Sequence, residues 1–345
     1  MNIREYTIEE LENLCISLGE AKYRAKQIFE WLHNKGISDL SEATNLSKSL
    51  IEKICQNCDI AYPTIKNEYI SNIDDTKKYL IKLSDNSLIE SVLMKYKYGY
   101  TVCVSSQVGC NMGCKFCAST KNGLIRNLKT YEMLAQIYLI SKANNINISN
   151  IVVMGSGEPL QNLDNLLKFL KLINDKDGKN ISLRNITVST CGIVENIDKL
   201  SKLKLPITLA LSLHAPSDDI RHKIMPISKK YKLDDVMTSM KNYFISTNRR
   251  ITFEYCMINS LNSSRENAKE LVELFNKNFN NCHVDFNVNL IPVNSIKECE
   301  FQKPDNKTII DFMKVLTDKG INVTLRRELG KDISGSCGQL RASVN

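Results

Sequence analysis

Three cysteines in the middle of the chain have the spacing of a metal-binding loop. Cys110, Cys114 and Cys117 form a C-x3-C-x2-C pattern, and Cys103 stands apart, seven residues upstream. Thiolates are soft ligands that suit zinc or an iron–sulfur cluster. Structural zinc takes four ligands, and no fourth cysteine or histidine lies close by in the sequence. The pattern therefore favours an iron–sulfur cluster with one iron left open for a substrate.

Composition sets broad limits on the kind of protein. The chain has 345 residues, of which 43% are hydrophobic and 24% charged, as in ordinary globular proteins. Lys and Arg exceed Asp and Glu by 46 − 38 = 8, which favours an anionic partner such as nucleic acid. The start, "MNIREYTIEELENL", lacks the apolar core of a signal peptide, and no stretch approaches the roughly 18 apolar residues of a membrane span. We expect a cytoplasmic enzyme without a membrane segment, whose twelve cysteines stay reduced unless they bind metal or do chemistry.

The first 62 residues are predicted to be helical. Thr7 and Glu10 have the spacing of a capping box, and "AKYRAKQIFEWLHNKG" predicts a second helix that ends at Gly36. A third helix is predicted over "SKSLIEKICQNC". The second helix carries three basic residues, Lys22, Arg24 and Lys26. These residues fit either a solvated helix face or a contact with nucleic acid.

From residue 63 to 98 the pattern changes to that of a β-hairpin linker. Apolar and polar residues alternate in "KKYLIKLSD" and "SLIESVLMKY", with Asp85-Asn86 as the turn. The chain then repeats strand and helix. Strands are predicted to end at Cys103 and to lie near 150–154, 185–189, 207–213, 251–257 and 284–291. Helices are predicted around 131–143, 163–174, 194–203, 232–245, 264–277 and 306–319.

Six such βα units imply parallel strands with right-handed crossovers. The expected fold class is therefore α/β, a partial (βα)6 barrel rather than a complete eightfold one. In such barrels the active-site residues lie in the loops at the C-terminal ends of the strands. Five marked stretches fall there: the cysteine loop, "GSGEP", "VSTCG", "SLHAP" and "PVN".

The cysteine spacing followed by a "GSGEP" element resembles the radical S-adenosylmethionine (SAM) superfamily. More specifically, "CVSSQVGCNMGCKFC", "GSGEPLQN", "ITVSTCGI", "LSLHAPSDDIRHKIMPI", "FEYCMI", "NLIPVN" and "CGQL" occur in order and look like the RlmN/Cfr family of RNA methyltransferases. The resemblance implies a helical RNA-binding accessory domain at 1–62, a β-hairpin linker at 63–98 and a radical SAM core at 99–345. Two stretches depart from the family pattern: Ser156, where many members carry Met, and Ser334-Gly335-Ser336 before the last cysteine.

The same resemblance implies a reaction at an aromatic carbon of adenine, where direct polar methylation is unattractive. Cys110, Cys114 and Cys117 would hold a [4Fe–4S] cluster, and two SAM molecules would be used per turnover. One would methylate Cys337; the other would yield a 5′-deoxyadenosyl radical that takes hydrogen from that methyl group. The carbon radical would then join the base. Cys103 would resolve the thioether adduct by attacking the sulfur of Cys337.

The resemblance also assigns the remaining site residues. Glu90, thirteen residues before Cys103, would be the base that removes the C2 hydrogen as a proton. SAM would be bound by Gly157, Glu158, Ser189, Ser212, Leu213, His214 and Asn294. "MKYKYGY", from Met94 to Tyr100, interleaves lysines and tyrosines and fits either RNA binding or a plain amphipathic hairpin. The pairs Arg249-Arg250 and Arg326-Arg327 receive no firm role, and Cys191 and Cys256 receive no catalytic one.

Three functions stay open at this point. The favoured one is methylation of adenine C2 in 23S rRNA and in tRNA, by a monomer that receives electrons from a flavodoxin or ferredoxin. A Cfr-type enzyme would modify C8 of the same rRNA adenosine, but that branch more often has Ala in place of Pro159. An iron–sulfur protein that only binds RNA or transfers electrons would need neither Glu158 nor the pair Cys103 and Cys337.

Overall fold

A ten-stranded mixed sheet organises the computed structural model, which describes residues 1–279, 284–296 and 299–341. The strands of this sheet are β1 (Thr64–Ile70), β2 (Lys77–Lys82), β3 (Leu88–Tyr96), β4 (Gly99–Cys103), β7 (Ile148–Val153), β8 (Ile186–Thr190), β9 (Thr208–Ser212), β10 (Ile251–Met257), β11 (Phe286–Pro292) and β12 (Val323–Leu325). They lie side by side in chain order. The strands β5 (Gln107–Gly109) and β6 (Leu124–Asn127) form a separate pair that flanks the cysteine loop.

The helices are α1 (Ile8–Ser17), α2 (Arg24–Phe29), α3 (Lys48–Asn57), α4 (Thr130–Asn144), α5 (Leu163–Ile173), α6 (Val194–Lys202), α7 (Asp218–Ile224), α8 (Leu233–Thr247), α9 (Arg265–Phe279) and α10 (Asn306–Thr317). Among the described helices, none is both long and apolar enough to cross a membrane.

The sheet changes character at β4. The pairings of β1 with β2, β2 with β3 and β3 with β4 are antiparallel, whereas every pairing from β4 and β7 through to β11 and β12 is parallel. The parallel strands alternate with α4, α5, α6, α8, α9 and α10, so the predicted partial (βα)6 barrel is confirmed. Residues 63–98 supply β1 to β3, which join the same sheet.

Apart from strand β1, three parts of the fold were not predicted: α7, the β5–β6 pair and the short edge strand β12. The sequence of α7, "DDIRHKI", has seven residues and too few apolar positions to show a helical period. The strands β5 and β12 have three residues each, which is too short for an alternating pattern to be recognised. All three elements lie beside the candidate site.

The N-terminal helices have the ends that the sequence predicts. The Thr7 hydroxyl accepts a hydrogen bond from the Glu10 amide, and the Glu10 carboxylate accepts one from the Thr7 amide at 2.7 Å. Helix α2 continues as a π-helical segment over Glu30–Lys35 and ends at Gly36, whose φ of +66° suits glycine. Residues of these helices belong to the same buried core as the barrel. The domain boundaries at 62 and 98 stay predictions.

Candidate active site

The three cysteines of the C-x3-C-x2-C loop line one cavity of about 160 Å³, called here the thiol cavity. The loop leaves β5 at Gly109 and returns through β6, and the Cys110 amide donates to the Gly123 carbonyl at 3.0 Å. Among the described residues, no group of three or more His, Cys, Asp or Glu side chains converges on a single metal ion. Thiols spread around a cavity are the donor set that an iron–sulfur cluster takes.

Burial makes these thiols poor acids without a metal. It raises the pKa of Cys110 to about 12, and it also raises the pKa of Cys114 and Cys117. Metal ligation requires thiolates, so a bound cluster has to displace these protons and supply the compensating charge. The three residues fit a cluster by chemistry and by placement.

The "GSGEP" loop lines the same thiol cavity as the three cysteines. Gly157 has a φ of +108°, and a Cβ atom there would lie 2.6 Å from the Gln107 side chain, so only glycine fits. The Gln107 Oε1 atom in turn accepts a hydrogen bond from the Glu158 amide at 2.8 Å. Strand β5 therefore fixes the loop that follows β7.

Glu158 is buried and held in one orientation. Its carboxylate accepts hydrogen bonds from the Leu160 amide at 3.0 Å and the Cys191 amide at 2.8 Å. Burial raises its pKa, and the amide donors oppose that shift. A carboxylate positioned in this way at a cavity wall is suited to bind an ammonium group.

Ser189, Ser212 and His214 also line the thiol cavity, at the ends of β8 and β9. The two serine hydroxyl oxygens lie 3.4 Å apart. His214 Nδ1 accepts a hydrogen bond from the Cys256 amide at 2.9 Å, and burial lowers its pKa to about 3. The ring is therefore neutral, with its proton on Nε2. Leu213 is buried outside the lining; its amide donates to the Glu254 carbonyl at 3.0 Å, and its carbonyl accepts from Arg221 Nε at 3.2 Å.

Cys337 borders the thiol cavity and a second cavity of about 280 Å³, called here the outer cavity. The loop that carries Cys337 is held by its backbone. Asn294 Nδ2 donates to the Cys337 carbonyl at 2.9 Å, and the Ala118 amide donates to the Gly338 carbonyl at 2.7 Å. Asn294 lines both cavities. The structure thus brings Cys337 against the cysteine loop.

Cys103 lines the outer cavity together with Cys337. It ends β4, pairs with Val92 on β3 and is 9% exposed. Burial raises its pKa to about 12, and a charge on Cys337 raises it further. Two thiols that were far apart in the sequence therefore share one cavity.

Glu90 does not reach either cavity lining. It lies on β3 two residues before Val92, with one carboxylate oxygen 3.0 Å from Lys78 Nζ. The other oxygen accepts a hydrogen bond from the Arg341 amide at 2.7 Å. Leu340 packs on Val92 and Cys103. The C-terminal segment therefore lies between Glu90 and the outer cavity.

The departures at Ser156 and Ser336 are accommodated by hydrogen bonds. The Ser156 hydroxyl lies 3.1 Å from that of Ser119, which donates to the Leu340 carbonyl at 2.6 Å. The Ser336 hydroxyl donates to the Leu329 carbonyl at 2.8 Å. Ser156 thus links the "GSGEP" loop to the cysteine loop and the C-terminal segment.

Two arginines of the site were missed as functional residues. Arg326 lines both cavities, and its guanidinium lies 3.2 Å from the Glu254 carboxylate. The nearby charge of Cys337 raises the pKa of Arg326. Arg221 lies fully buried on α7, where its guanidinium donates to carbonyls at the ends of β8 and β9. "LSLHAPSDDIRHKIMPI" contained Arg221, but nothing in its spacing marked it.

The lysine–tyrosine stretch forms the tip of the β3–β4 hairpin at the rim of the outer cavity. The rings of Tyr96 and Tyr98 are stacked with their centroids 5.0 Å apart. Tyr96 lines the outer cavity, while Tyr98 is 68% exposed. The exposed aromatic face lies next to Lys97, a combination that suits stacking on an RNA base.

Comparison with known proteins matches two family models. Residues 104–277 match the radical SAM superfamily, and residues 1–60 match the ribosomal RNA large subunit methyltransferase N-terminal domain. The chain is 49% identical to a probable dual-specificity RNA methyltransferase RlmN of Clostridium novyi, covering 99% of this chain and 97% of that protein. A corresponding protein of Clostridium botulinum is 50% identical, with 99% and 96% covered.

A solved radical SAM methyltransferase from Sphaerobacter thermophilus has the same fold. It superposes with a TM-score of 0.94 at 37% identity, covering 99% of this chain and 100% of that one. Radical SAM methyltransferases use a [4Fe–4S] cluster and SAM, for which this chain has the cysteines in place. The resemblance seen in the motifs is confirmed: the chain belongs to the RlmN family of radical SAM, SAM-dependent RNA methyltransferases.

Proposed function

We propose that the enzyme methylates C2 of an adenosine in 23S rRNA and in tRNA, by way of a methyl group carried on Cys337. The observation that carries this proposal is the position of Cys337, which borders the thiol cavity on one side and shares the outer cavity with Cys103 on the other. The two clostridial relatives are named as probable dual-specificity RNA methyltransferases, which agrees with two RNA substrates.

Different residues of the thiol cavity would bind the cluster and the amino group of SAM. Cys110, Cys114 and Cys117 would hold the [4Fe–4S] cluster, which, when bound with SAM, supplies the radical chemistry that activates the methyl group on Cys337. Glu158 would bind the SAM amino group. Gly157 would let the backbone approach it closely.

The remaining wall would bind the rest of SAM. Ser189, Ser212 and the neutral His214, with its Nε2 proton, offer hydrogen-bond partners for the SAM carboxylate, ribose and adenine. Asn294 would position both SAM and Cys337, because its amide already holds the Cys337 carbonyl. Leu213 would act indirectly, because it lies outside the lining and its amide and carbonyl hold Glu254 and Arg221 behind this wall.

In the outer cavity Cys337 would act as the methyl carrier and Cys103 as the resolving thiol. Arg326 lines both cavities, as Cys337 does, and the thiolate of a cysteine is the form that attacks a methyl sulfonium. The carrier carbon joins the base as a radical, and the adduct then gives up one electron. The Cys103 thiolate attacks the Cys337 sulfur, so that an S–S bond forms as the C–S bond breaks. The electron pair of the C–S bond passes to the released carbon and the base, the carbon gains a proton to become the methyl group, and the C2 proton leaves. Both thiols are free in the described structure.

Glu90 would take the C2 proton once the C-terminal segment has moved. Its carboxylate is bonded to Lys78 and the Arg341 amide, and Leu340 packs beside it. A base must lie within hydrogen-bond distance of the proton that it removes. The proposal therefore requires RNA binding to displace Leu340–Arg341 from Glu90.

The proposal is tested by turnover of the reconstituted enzyme. Protein that has been loaded with its cluster anaerobically is incubated with SAM, a reductant and an unmodified 23S rRNA fragment or tRNA. The RNA is then digested to nucleosides, which are separated by chromatography and identified by mass spectrometry. We expect 2-methyladenosine from both RNAs. The Cfr-type alternative predicts 8-methyladenosine instead, and a loaded cluster without any RNA methylation would contradict both.

We further propose a monomer that receives its electrons from a flavodoxin or ferredoxin.

A further inference from the structure

A fully buried arginine lies directly behind the cysteine loop. Arg221 on α7 donates from Nε to the Leu213 carbonyl at 3.2 Å. Its Nη2 atom donates to the Cys191 carbonyl at 2.7 Å and the Ser212 carbonyl at 3.2 Å. The guanidinium therefore joins the ends of β8 and β9, where the thiol cavity begins.

The other terminal nitrogen of Arg221 is not accounted for by the protein. Nη1 is buried and has no hydrogen-bond partner among the described residues. A buried charged group with an unused donor is costly, so native structures normally supply an acceptor. Burial lowers the pKa of Arg221, and negative charge on Cys191 or Cys114 opposes that shift. Nη1 can therefore donate to a group that the described residues do not supply, and Cys191 and Ser212, whose carbonyls bind the same guanidinium, line the thiol cavity.

Helix α7 is fastened to the cysteine loop at two points close to Arg221. The Lys115 amide donates to the Ile224 carbonyl, the last residue of α7, at 2.9 Å. A Cβ atom on Gly113 would lie 3.2 Å from the Pro226 ring, so the loop and the turn after α7 are in close contact. Met225, between these residues, lines the thiol cavity. The guanidinium is consequently fixed relative to Cys114, which stands between Gly113 and Lys115.

We propose that Arg221 is a positioning residue that gives the cluster a fixed positive charge and an N–H donor, and that it thereby raises the cluster's reduction potential. The reduced cluster carries one more negative charge than the oxidised one. A buried cation stabilises that extra charge strongly because little water screens it. Donors and charges around cluster sulfurs are known determinants of potential.

The proposal rests on the cluster and not on which RNA carbon is methylated. It is tested by redox titration of the reconstituted enzyme without RNA, with dithionite and mediators, following the signal of the reduced cluster by electron paramagnetic resonance. The variants are Arg221→Gln, which removes the charge, and Arg221→Lys, which keeps it. Failure of RNA methylation would leave this measurement unaffected, so the two proposals are judged separately.

Arg4 provides a matched control. It is also a fully buried arginine, it donates to the carbonyls of Ile60, Ile37 and Ser38, and its Nε atom lacks a partner among the described residues. It lies in the N-terminal region, and its three carbonyl partners lie outside both cavity linings, whereas Cys191 and Ser212, which accept from Arg221, line the thiol cavity. Arg4→Gln therefore removes a comparable buried charge without touching the cluster.

We expect Arg221→Gln to make the cluster about tenfold harder to reduce at equilibrium, a fall of about 59 mV for one electron. Arg221→Lys should shift less, and Arg4→Gln should leave the potential of the wild type. An unchanged potential in Arg221→Gln, or an equal shift in Arg4→Gln, would overturn the proposal. If Arg221→Gln does not retain iron, Arg221→Met, which also removes the charge, is titrated in its place: a fall of similar size supports the proposal, and an unchanged potential overturns it.

Discussion

Cys337 is an exposed thiol whose surroundings differ on its two sides. The thiol cavity that it borders also contains Cys110 and Cys114, and the outer cavity contains Cys103, while Arg326 lines both. A methyl carrier needs both neighbourhoods, because it receives the methyl group in one place and gives it up in the other. Ser336, beside it, is tied to Leu329, which limits the range that the sulfur can sweep.

Replacement of the carrier thiol should separate cluster assembly from methyl transfer. Cys337→Ala should bind wild-type amounts of iron, but SAM should leave no methyl group on the protein and RNA methylation should fall below detection. Peptide mass analysis after incubation with SAM alone measures the first effect. Cys299→Ala serves as the control, since that half-buried thiol lines neither cavity. A methyl group found on another residue of the wild type would contradict the carrier role.

Residue types with strict backbone requirements could be recognised from the sequence, whereas roles set by long-range packing could not. Gly157 was predicted at its loop, and its positive φ explains why a side chain is not tolerated there. Arg221 and Arg326 were not assigned, because their partners lie on other strands and no local spacing reveals them. Glu90 was predicted as a base, but sequence cannot show that Arg341 covers it.

At the scale of elements, the site depends on the docking of the C-terminal loop onto the cysteine loop. The contact is made by backbone atoms: the Gly338 carbonyl accepts from the Ala118 amide. Gly338 has a φ of +82°, and a Cβ atom there would lie 3.0 Å from the Phe116 carbonyl oxygen. The loop therefore approaches too closely for any side chain at this position.

Gly338→Ala should lift the loop and slow methylation of Cys337. An L-residue at positive φ costs about 1–2 kcal/mol by itself. Gly320→Ala is the matched control, because Gly320 has a φ of +74° but nothing within 4 Å of its Cβ position. Both variants should lose similar stability in denaturant unfolding, but only Gly338→Ala should methylate Cys337 more slowly. Equal methylation rates in both would show that the close approach is not needed.

Long periodic elements were predicted well, and short ones beside the site were not. The six barrel helices from α4 to α10, apart from α7, lie where they were predicted, because each is long and buries apolar residues against its neighbours: a stripe in α5, α6, α8, α9 and α10, and nearly every side in α4. Helix α7 is instead held by Arg221 and by the cysteine loop, which are tertiary contacts. The elements that complete the site are thus the ones with the weakest local pattern.

At the scale of the whole molecule, the N-terminal helices are joined to the barrel through a buried polar contact. His33, in the π-helical segment after α2, lies 2.9 Å by its Nδ1 atom from the hydroxyl of Tyr138 on α4. Its ring packs on Phe29 at a centroid distance of 4.3 Å. Burial, with a smaller effect of the Arg4 charge, lowers the pKa of His33 to about 3.

This contact should make stability fall with decreasing pH. The unfolded chain binds a proton at His33 near its ordinary pKa of 6.5, while the folded protein does not until about 3. Its contribution is therefore complete above pH 6.5 and is lost as the pH falls towards 3; about 2 kcal/mol of it has been lost at pH 5. His33→Gln should lose about 2 kcal/mol less unfolding free energy than the wild type between pH 7.5 and pH 5. Urea unfolding at the two pH values measures this, and parallel losses would rule out His33 as the cause.

The central claim, that Cys337 carries the methyl group to the base and Cys103 releases it, is tested most directly with Cys103→Ala. This variant should assemble the cluster and methylate Cys337, and then stall with RNA bound covalently through the bridging carbon. The measurement is a denaturing gel of the variant incubated with SAM, reductant and labelled RNA, beside Cys15→Ala, a buried thiol that lines neither cavity. We predict a protein–RNA band for Cys103→Ala alone; full turnover without that band would contradict the account and leave Cys103 as a packing residue.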